Sequence, residues 1–595
     1  MTGRKIPIVG FLTGASLTGG LIGAWEAAAL VAFDAELTTS ARGAALLVLL
    51  GLGLGAAAAG LAATAFALFR RTRPGRFLCG ERTVGPVIAV AAALVFYAGY
   101  YLNVNVLPGK LHPLSLAVDV ALLVLAWAFV RFGPRLRFGF GAAAVISLSL
   151  AVGAVAAAIG AAGGSRRLEP PAAEPPPGAA NLLLITMDTT RADRLGAYGG
   201  PPGLTPHLDA LAARSRVFRH AYCPMPLTGP SHATLLTGRT PRELGVVQNG
   251  MPLQAKAPTL AETLRAQGYR TGAVVAAFPV SSKLGFGRGF EYFDDDFAVA
   301  GAATRLTWAR LAGSLGLVDV KARLQRPADE VTDRAVAWLA AEENRPFFLW
   351  VHYFDPHTPY DPPPAFRDVS NAADPHVRRY EGEVAFMDAE IGRLLGALDQ
   401  AGLRDNTFVV AVADHGESLG EHDYYYDHGR YVYEPSMRLP LIVAAPPSAP
   451  CPCMRSLFGE PAVDVTKPLP LGALHGFILR TLGSNAKRPD YSKLERNEVY
   501  GESWEGDLHY QMIVAAGGEE KRLFKLILEP RTGDVELYDL LADPAETENL
   551  ASSQPRIVDD LRRRLVAYFA AQPPLASADA ADAETKEKLR SLGYM

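Results

Sequence analysis

Asn181-Leu-Leu-Leu-Ile-Thr-Met-Asp188-Thr-Thr-Arg191-Ala-Asp193 joins an unbroken apolar run to a polar cluster. A short run that is apolar at every position is a strand buried on both faces, because a half-exposed strand would alternate. Residues 182–186 are therefore expected to form one strand, and the same pattern recurs at 271–277, 347–352, 407–412 and 441–444. Between these runs, 206–214, 259–266, 328–343 and 381–401 carry helical periodicity. Strands alternating with helices predict an α/β domain with a mostly parallel sheet. Chemistry in such sheets gathers at the carboxyl ends of the strands.

Three of the expected strands end in polar clusters: Asp188-Thr-Thr-Arg191-Ala-Asp193, Asp355-Pro-His357 and Asp414-His415-Gly-Glu417. One aspartate after a strand is ordinarily a turn or cap residue. Three clusters of carboxylates and imidazoles at strand ends are what a divalent metal site requires. A fourth element, Pro226-Leu-Thr228-Gly-Pro-Ser-His232-Ala-Thr-Leu-Leu-Thr-Gly238, reads as a tight turn at 229–230 opening a helix. A hydroxyl at Thr228 would face the helix's unpaired N–H groups and its positive dipole end. It is thus placed as a nucleophile toward a tetrahedral anionic ester, or else as a helix cap.

The chain has 595 residues, 49% hydrophobic and 20% charged, with a formal net charge of −3. That balance excludes a disordered chain and a polybasic nucleic-acid binder. Mean hydropathy is +0.11, and the excess lies in residues 1–164. Five stretches there, 6–33, 44–68, 84–102, 114–130 and 140–162, come close to the roughly 20 apolar residues a membrane span needs. Five transmembrane helices are expected. One set of flanks carries ten basic residues (Arg4, Lys5, Arg70, Arg71, Arg73, Arg76, Arg82, Arg131, Arg135, Arg137) and the other four (Arg42, Lys110, Arg166, Arg167). This bias puts the N-terminus in the cytoplasm, and an odd number of spans then places the remainder outside the cytoplasmic membrane. Glu26 and Asp119 lie near span ends, within reach of the interface.

Residues 168–178 combine five prolines with two glutamates, an extended spacer. The expected organisation is a membrane domain at 1–164, a linker at 165–180, a catalytic domain at 181–485, a small antiparallel subdomain at 486–572 with strands near 497–502, 511–514, 522–528 and 534–538, and a tail at 573–595 that reads as exposed loop. Four cysteines (Cys79, Cys223, Cys451, Cys453) are too few for a disulfide scaffold; only Cys451 and Cys453 suggest a local cross-link.

These residues, from Asn181 almost to the end, resemble the sulfatases of the alkaline phosphatase superfamily. The resemblance rests on Asp188, on Thr228-Gly-Pro-Ser-His232 in the frame of the Cys/Ser-x-Pro-Ser-Arg signature, and on Leu236-Thr-Gly-Arg239 and Gly268-Tyr-Arg-Thr271. It continues through Asp355-Pro-His357, Asp414-His-Gly-Glu-Ser-Leu-Gly-Glu-His422, Glu536-Leu-Tyr-Asp-Leu540, Asp543-Pro544 and Asn549-Leu550. Residues 588–594 also resemble a recurrent family ending, one able to dock. The resemblance implies an alkaline-phosphatase-like α/β domain in which Asp188, Asp414, His415 and Thr228 bind a divalent metal. It implies that His357 and His428 hold the anionic ester or protonate its leaving group, and that Arg191 and His232 contact substrate. His422 either joins them or is an exposed loop histidine. The ligand types leave Zn²⁺, Ca²⁺, Mg²⁺ and Mn²⁺ open.

Departures from the family pattern narrow the chemistry. Threonine at 228 cannot yield the formylglycine aldehyde of true sulfatases, and Cys223 is out of frame for it. Thr189 replaces the second Asp of the usual pair, His232 replaces the arginine, and the Gly-Lys-Trp-His sulfate-binding stretch is missing between Thr271 and Phe290. Superfamily relatives with a threonine nucleophile are phosphodiesterases and phosphotransferases, so phosphate esters are favoured. The expected function is a membrane-anchored, extracytoplasmic (periplasmic) metal-dependent hydrolase of sulfate or phosphate esters. Its partners are membrane lipids and an anionic ester, without nucleic acid, and oligomeric state is left open. Two alternatives stand beside it: a phosphoethanolamine- or phosphoglycerol-type transferase acting on the envelope, and a non-catalytic membrane scaffold. A reporter fused after Arg167 should behave as exported; one active only in the cytoplasm would overturn the five-span count.

Overall fold

The computed structural model describes residues 173–176, 178–295, 325–341, 344–446, 464–465, 467–483, 498–517 and 522–575, with 585 and 589. All of them fall in one of the chain's two compact units, Arg167–Asp295 with Leu324–Met595. The five expected spans and Cys451 and Cys453 lie outside the described residues. Among the described residues no helix is long and apolar enough to cross a membrane.

The main sheet has eight strands: β1 (Asn181–Met187), β2 (Arg216–Phe218), β3 (Arg270–Val275), β4 (Tyr292–Asp294), β5 (Phe347–Tyr353), β6 (Thr407–Ala413), β7 (Leu441–Ala444) and β8 (Asp464–Val465). Their order is β8-β2-β7-β6-β1-β5-β3-β4. Every pairing is parallel except the two made by β7, which runs antiparallel to β6 and β2. The mostly parallel sheet expected from the sequence is present. Its three short strands, β2, β4 and β8, were not anticipated, since two or three residues carry no periodicity.

The central strands β1, β5 and β6 are buried at all seven positions each. One face packs Leu183, Ile185, Leu349, Val351, Val409 and Ala411 against two helices, α4 (Ala328–Leu339) and α5 (Pro375–Gln400). The helices that precede them in the chain are α1 (Pro206–Ala212), α2 (Thr228–Thr237) and α3 (Leu260–Ala266). Helix α5 begins before the expected 381 because Asp374 caps it, accepting from the His376 and Val377 N–H groups, and Pro375 fits the first position. The polar first turn hid that start. Helix α4 stops at Leu339, short of the expected 343.

After α6 (Ala473–Thr481), the chain builds the expected antiparallel sheet, β9 (Glu498–Glu505), β10 (Leu508–Gly517), β11 (Arg522–Leu528) and β12 (Val535–Asp539), in sequential order. An unanticipated helix, α7 (Pro555–Ala570), covers it with Leu561, Leu565 and Phe569. Lys525 on β11 is fully buried between Glu434 (3.1 Å) and Glu546 (2.9 Å), which ties this sheet to the segment just after His428. In the tail, Thr585 and Leu589 are buried rather than exposed, against Gly250. Gly250 has φ +84°, and a Cβ there would lie 2.5 Å from Leu589 Cδ1.

Helix α5 carries a titratable weak point. Glu383 is buried and accepts from the Asp361 N–H at 2.7 Å. Burial first, and the Asp355 carboxylate second, push it up to about 8. A carboxyl raised on folding holds its proton more tightly in the folded state, so its stabilisation is complete below the ordinary value of 4.5 and is lost as pH rises toward 8. Glu383→Gln keeps the acceptor and removes the charge. Denaturation midpoints of the two proteins should nearly coincide at pH 5, with the Gln variant more stable at pH 8 by roughly 1–4 kcal/mol. Parallel pH profiles would contradict this.

Candidate active site

Register brings the site together. Met187 on β1 lies opposite Ala413 on β6, so the next residues, Asp188 and Asp414, leave the sheet side by side. With His415 they form a buried group whose ligand atoms lie within 4.8 Å of one another. The His415 Nδ1–H donates to the Gly416 carbonyl at 2.9 Å, which leaves the Nε2 lone pair bare. That nitrogen lies 3.4 Å from Thr228 Oγ1, 3.5 Å from Asp414 Oδ2 and 3.7 Å from Asp188 Oδ1.

Asp188 Oδ1 and Asp414 Oδ2 are both buried without a hydrogen bond of ordinary geometry among the described residues. Two carboxylates converging in a buried pocket repel one another, even with the Thr228 side chain bonded to Asp188 and His232 bonded to Asp414. Burial first, and the Asp414 carboxylate second, accordingly push Asp188 well above the usual carboxylate range. A divalent cation removes this conflict, and the donor set of carboxylate oxygens, imidazole nitrogen and hydroxyl suits one. Of the expected ligands, the fold groups Asp188, Asp414 and His415, with the Thr228 hydroxyl beside them.

Thr228 is itself the first residue of α2, so the expected turn at 229–230 is already helix, with Pro230 accommodated in its first turn. No side chain caps this helix. The Gly229 N–H is taken instead by Asn249 Oδ1 at 2.7 Å, and a Cβ on Gly229 would approach that oxygen to 3.1 Å. Nothing in the sequence signalled Asn249.

His428 and His357 extend the site in a line of rings. His428 lies 4.5 Å from His415 and 5.1 Å from His357, centroid to centroid. His428 Nδ1 faces Glu417 Oε1 at 3.2 Å, and the other oxygen of that buried carboxylate accepts from Tyr360. His357 donates Nδ1–H to the Thr358 carbonyl at 2.6 Å and stacks on Phe354. Burial, then the neighbouring His428, lower His357 to about 3, so it is a neutral base at pH 7. An imidazole neutral in the resting site takes a proton before it can give one.

Arg191 and His232, the two expected substrate contacts, are both buried. Arg191 is buried and pairs bidentately with Asp193 (2.8 and 2.7 Å), with Glu421 at 2.8 Å and with the Glu417 carbonyl. It braces the turn after β1 against the loop carrying Glu417. His232 lies beneath the cluster, with Nδ1 2.9 Å from the Thr228 carbonyl and 3.4 Å from Asp414 Oδ2. Thr189, which stands in place of the family's second Asp, is a buried β-branched residue at φ +48°, a strained conformation. The Tyr380 hydroxyl holds it by donating to its carbonyl at 2.8 Å. His422 stacks on Tyr433 at 3.6 Å, outside the imidazole line. His352, missed as a site residue, reaches Asp188 at 3.2 Å; its place at the end of an expected strand was the available signal.

Asp414→Ala removes one inward oxygen and the contact to His232. It should abolish turnover and leave the purified protein without stoichiometric divalent metal, measured by plasma emission. Full metal occupancy in that variant would contradict the ligand assignment.

Residues 180–452 match the Sulfatase family model. The chain is 26% identical over 449 residues to the choline-sulfatase of Rhizobium meliloti (strain 1021), covering 64% of this chain and 84% of that one. It is 24% identical over 463 residues to an arylsulfatase of Clostridium perfringens (strain 13 / Type A), covering 65% and 93%. Its fold is similar to that of the phosphonate monoester hydrolase of Agrobacterium radiobacter, with TM-score 0.50 and 20% identity over 66% of this chain and 95% of that one. With the Thr228 hydroxyl and the carboxylate–imidazole cluster already assembled at the strand ends, these matches identify residues 180–452 as a domain of the sulfatase family, an ester hydrolase.

Proposed function

We propose that this chain is a membrane-tethered, extracytoplasmic hydrolase that prefers phosphate to sulfate esters and passes the phosphoryl group through Thr228. The observation that carries the reading is the Thr228 hydroxyl, buried at the first residue of α2 and 3.4 Å from His415 Nε2. Asp188, Asp414, His415 and Thr228 would hold a divalent ion, which when bound lowers the hydroxyl's pKa and offsets phosphoryl charge. The backbone N–H groups of the first turn of α2 add a fixed positive end at the same place.

In the first half-reaction the Thr228 oxygen attacks phosphorus and the P–O bond to the leaving alcohol breaks. The neutral His357–His428 pair takes the threonine proton and hands it to the departing oxygen. In the second, a water oxygen attacks the phosphorus, the pair takes its proton, and the P–O bond to Thr228 breaks with that proton returned to the threonine. Glu417 orients His428 through Nδ1, as the Thr358 carbonyl orients His357. A formylglycine enzyme releases sulfate through its own geminal diol. Threonine has a single oxygen and must await an external nucleophile, which in-line phosphoryl transfer supplies.

The five apolar stretches and their charge bias support the membrane-facing location. They also favour a second reading, in which an acceptor hydroxyl on an envelope lipid or glycan replaces water. Thr228→Ala should lose at least about 10³-fold in turnover of an aryl phosphate ester, whereas Thr228→Ser should retain measurable turnover. Parental rates in Thr228→Ala, or a parent enzyme that cleaves only sulfate esters, would overturn the proposal.

A further inference from the structure

We infer that His352 is the residue that keeps Asp188 a one-oxygen ligand, and that the resulting four-donor shell selects an ion of the Zn²⁺ or Mn²⁺ type over Ca²⁺. The inference rests on the metal site proposed above. His352 is the sixth residue of β5, opposite Thr186 on β1, and is fully buried. The Ala276 N–H reaches its Nδ1 at 3.2 Å. A backbone N–H can only donate, so Nδ1 accepts and the ring's proton sits on Nε2. Nε2 lies 3.2 Å from Asp188 Oδ2 and donates to it.

Rotation of the ring is blocked. His232 packs edge-on at 4.9 Å between centroids, and Trp350 and Phe354 lie at 6.3 and 6.2 Å. Trp350 is itself pinned, its Nε1–H donating to Thr186 Oγ1 at 2.9 Å. With Oδ2 taken by His352, only Oδ1 of Asp188 faces His415 Nε2. Asp414 is limited in the same manner, because its Oδ1 accepts from the His415 N–H at 2.8 Å.

The inward donors are therefore four single atoms: Asp188 Oδ1, Asp414 Oδ2, Thr228 Oγ1 and His415 Nε2. Calcium takes six to eight oxygens and favours bidentate carboxylates. A small shell with one imidazole and no bidentate carboxylate suits a borderline ion such as Zn²⁺, or Mn²⁺ with added water. Thr189, a threonine where the family has a second Asp, contributes no carboxylate that would enlarge the shell.

The test uses the full-length protein stripped with chelator, with Zn²⁺, Mn²⁺ and Ca²⁺ as probes in competition titrations. The parent should bind Zn²⁺ or Mn²⁺ more tightly than Ca²⁺. His352→Met, which fills space without donating, should weaken Zn²⁺ binding about 10- to 100-fold. His352→Gln, which still donates, should recover most of it, while metal-free melting temperatures of parent and Gln variant stay alike. Unchanged affinity in a folded His352→Met protein, or tighter Ca²⁺ than Zn²⁺ binding by the parent, would overturn the inference. A crystal structure of the metal-loaded parent tests it without substitution: Asp188 bound through Oδ1 alone supports it, and bidentate Asp188 refutes it. A parent that binds no divalent ion at all would refute the metal site itself, a failure distinct from that of His352.

Discussion

Two buried carboxylates held side by side at the ends of neighbouring parallel strands repel one another and favour a cation between them. The rest of the domain serves that placement. Strands β1 and β6 are buried along their whole length, so their register is fixed by packing and cannot slip without turning apolar side chains out of the core. Asp188 and Asp414 inherit that rigidity. The imidazole of His415 is aimed by its own Nδ1 bond to Gly416, and Thr228 is aimed by the first turn of α2. The Asp414 carboxylate and the His415 imidazole are each held by a backbone group one residue away, and the Asp188 carboxylate by His352, an arrangement that preorganises a site for charge developing on a transferring group.

Much of this was legible in the sequence, for a physical reason. Apolar runs such as Leu182-Leu-Leu-Ile185 and Phe347-Phe-Leu-Trp-Val351 can only be buried strands, and in parallel sheets the residues that follow such strands line the site. Asp188, Asp414 and His415 were therefore identifiable. Side-chain pairing was not. Arg191 stands close to Asp188 in sequence and was expected to contact substrate, yet it is fully engaged with Asp193 and Glu421, the latter from a loop more than two hundred residues away. Asn249 contributes through one hydrogen bond across the fold and His352 through two, which leaves no periodicity or motif behind. The polar start of α5 and the strands of two or three residues were hidden for the same reason: they are fixed by tertiary neighbours rather than by local pattern.

The departures at 189, 228 and 232 form one coherent change. Threonine at 228 supplies a hydroxyl in place of an aldehyde hydrate, histidine at 232 places an imidazole under the cluster where the family has a guanidinium, and threonine at 189 withdraws one carboxylate. The neutral imidazoles at 357 and 428 complete a site suited to moving a proton in each of two half-reactions. On the proposed reading, the sulfatase scaffold is retained while Thr228 takes over as nucleophile.

The most direct measurement is to trap the covalent intermediate. The protein is quenched in acid during turnover of an aryl phosphate ester, digested, and sequenced by high-resolution mass spectrometry. The reading developed above requires phosphate on the Thr228 hydroxyl in the peptide spanning residues 226–239, present only when substrate is present. A quenched enzyme under turnover that carries the group on another residue, or one modified only by sulfate esters, would contradict it.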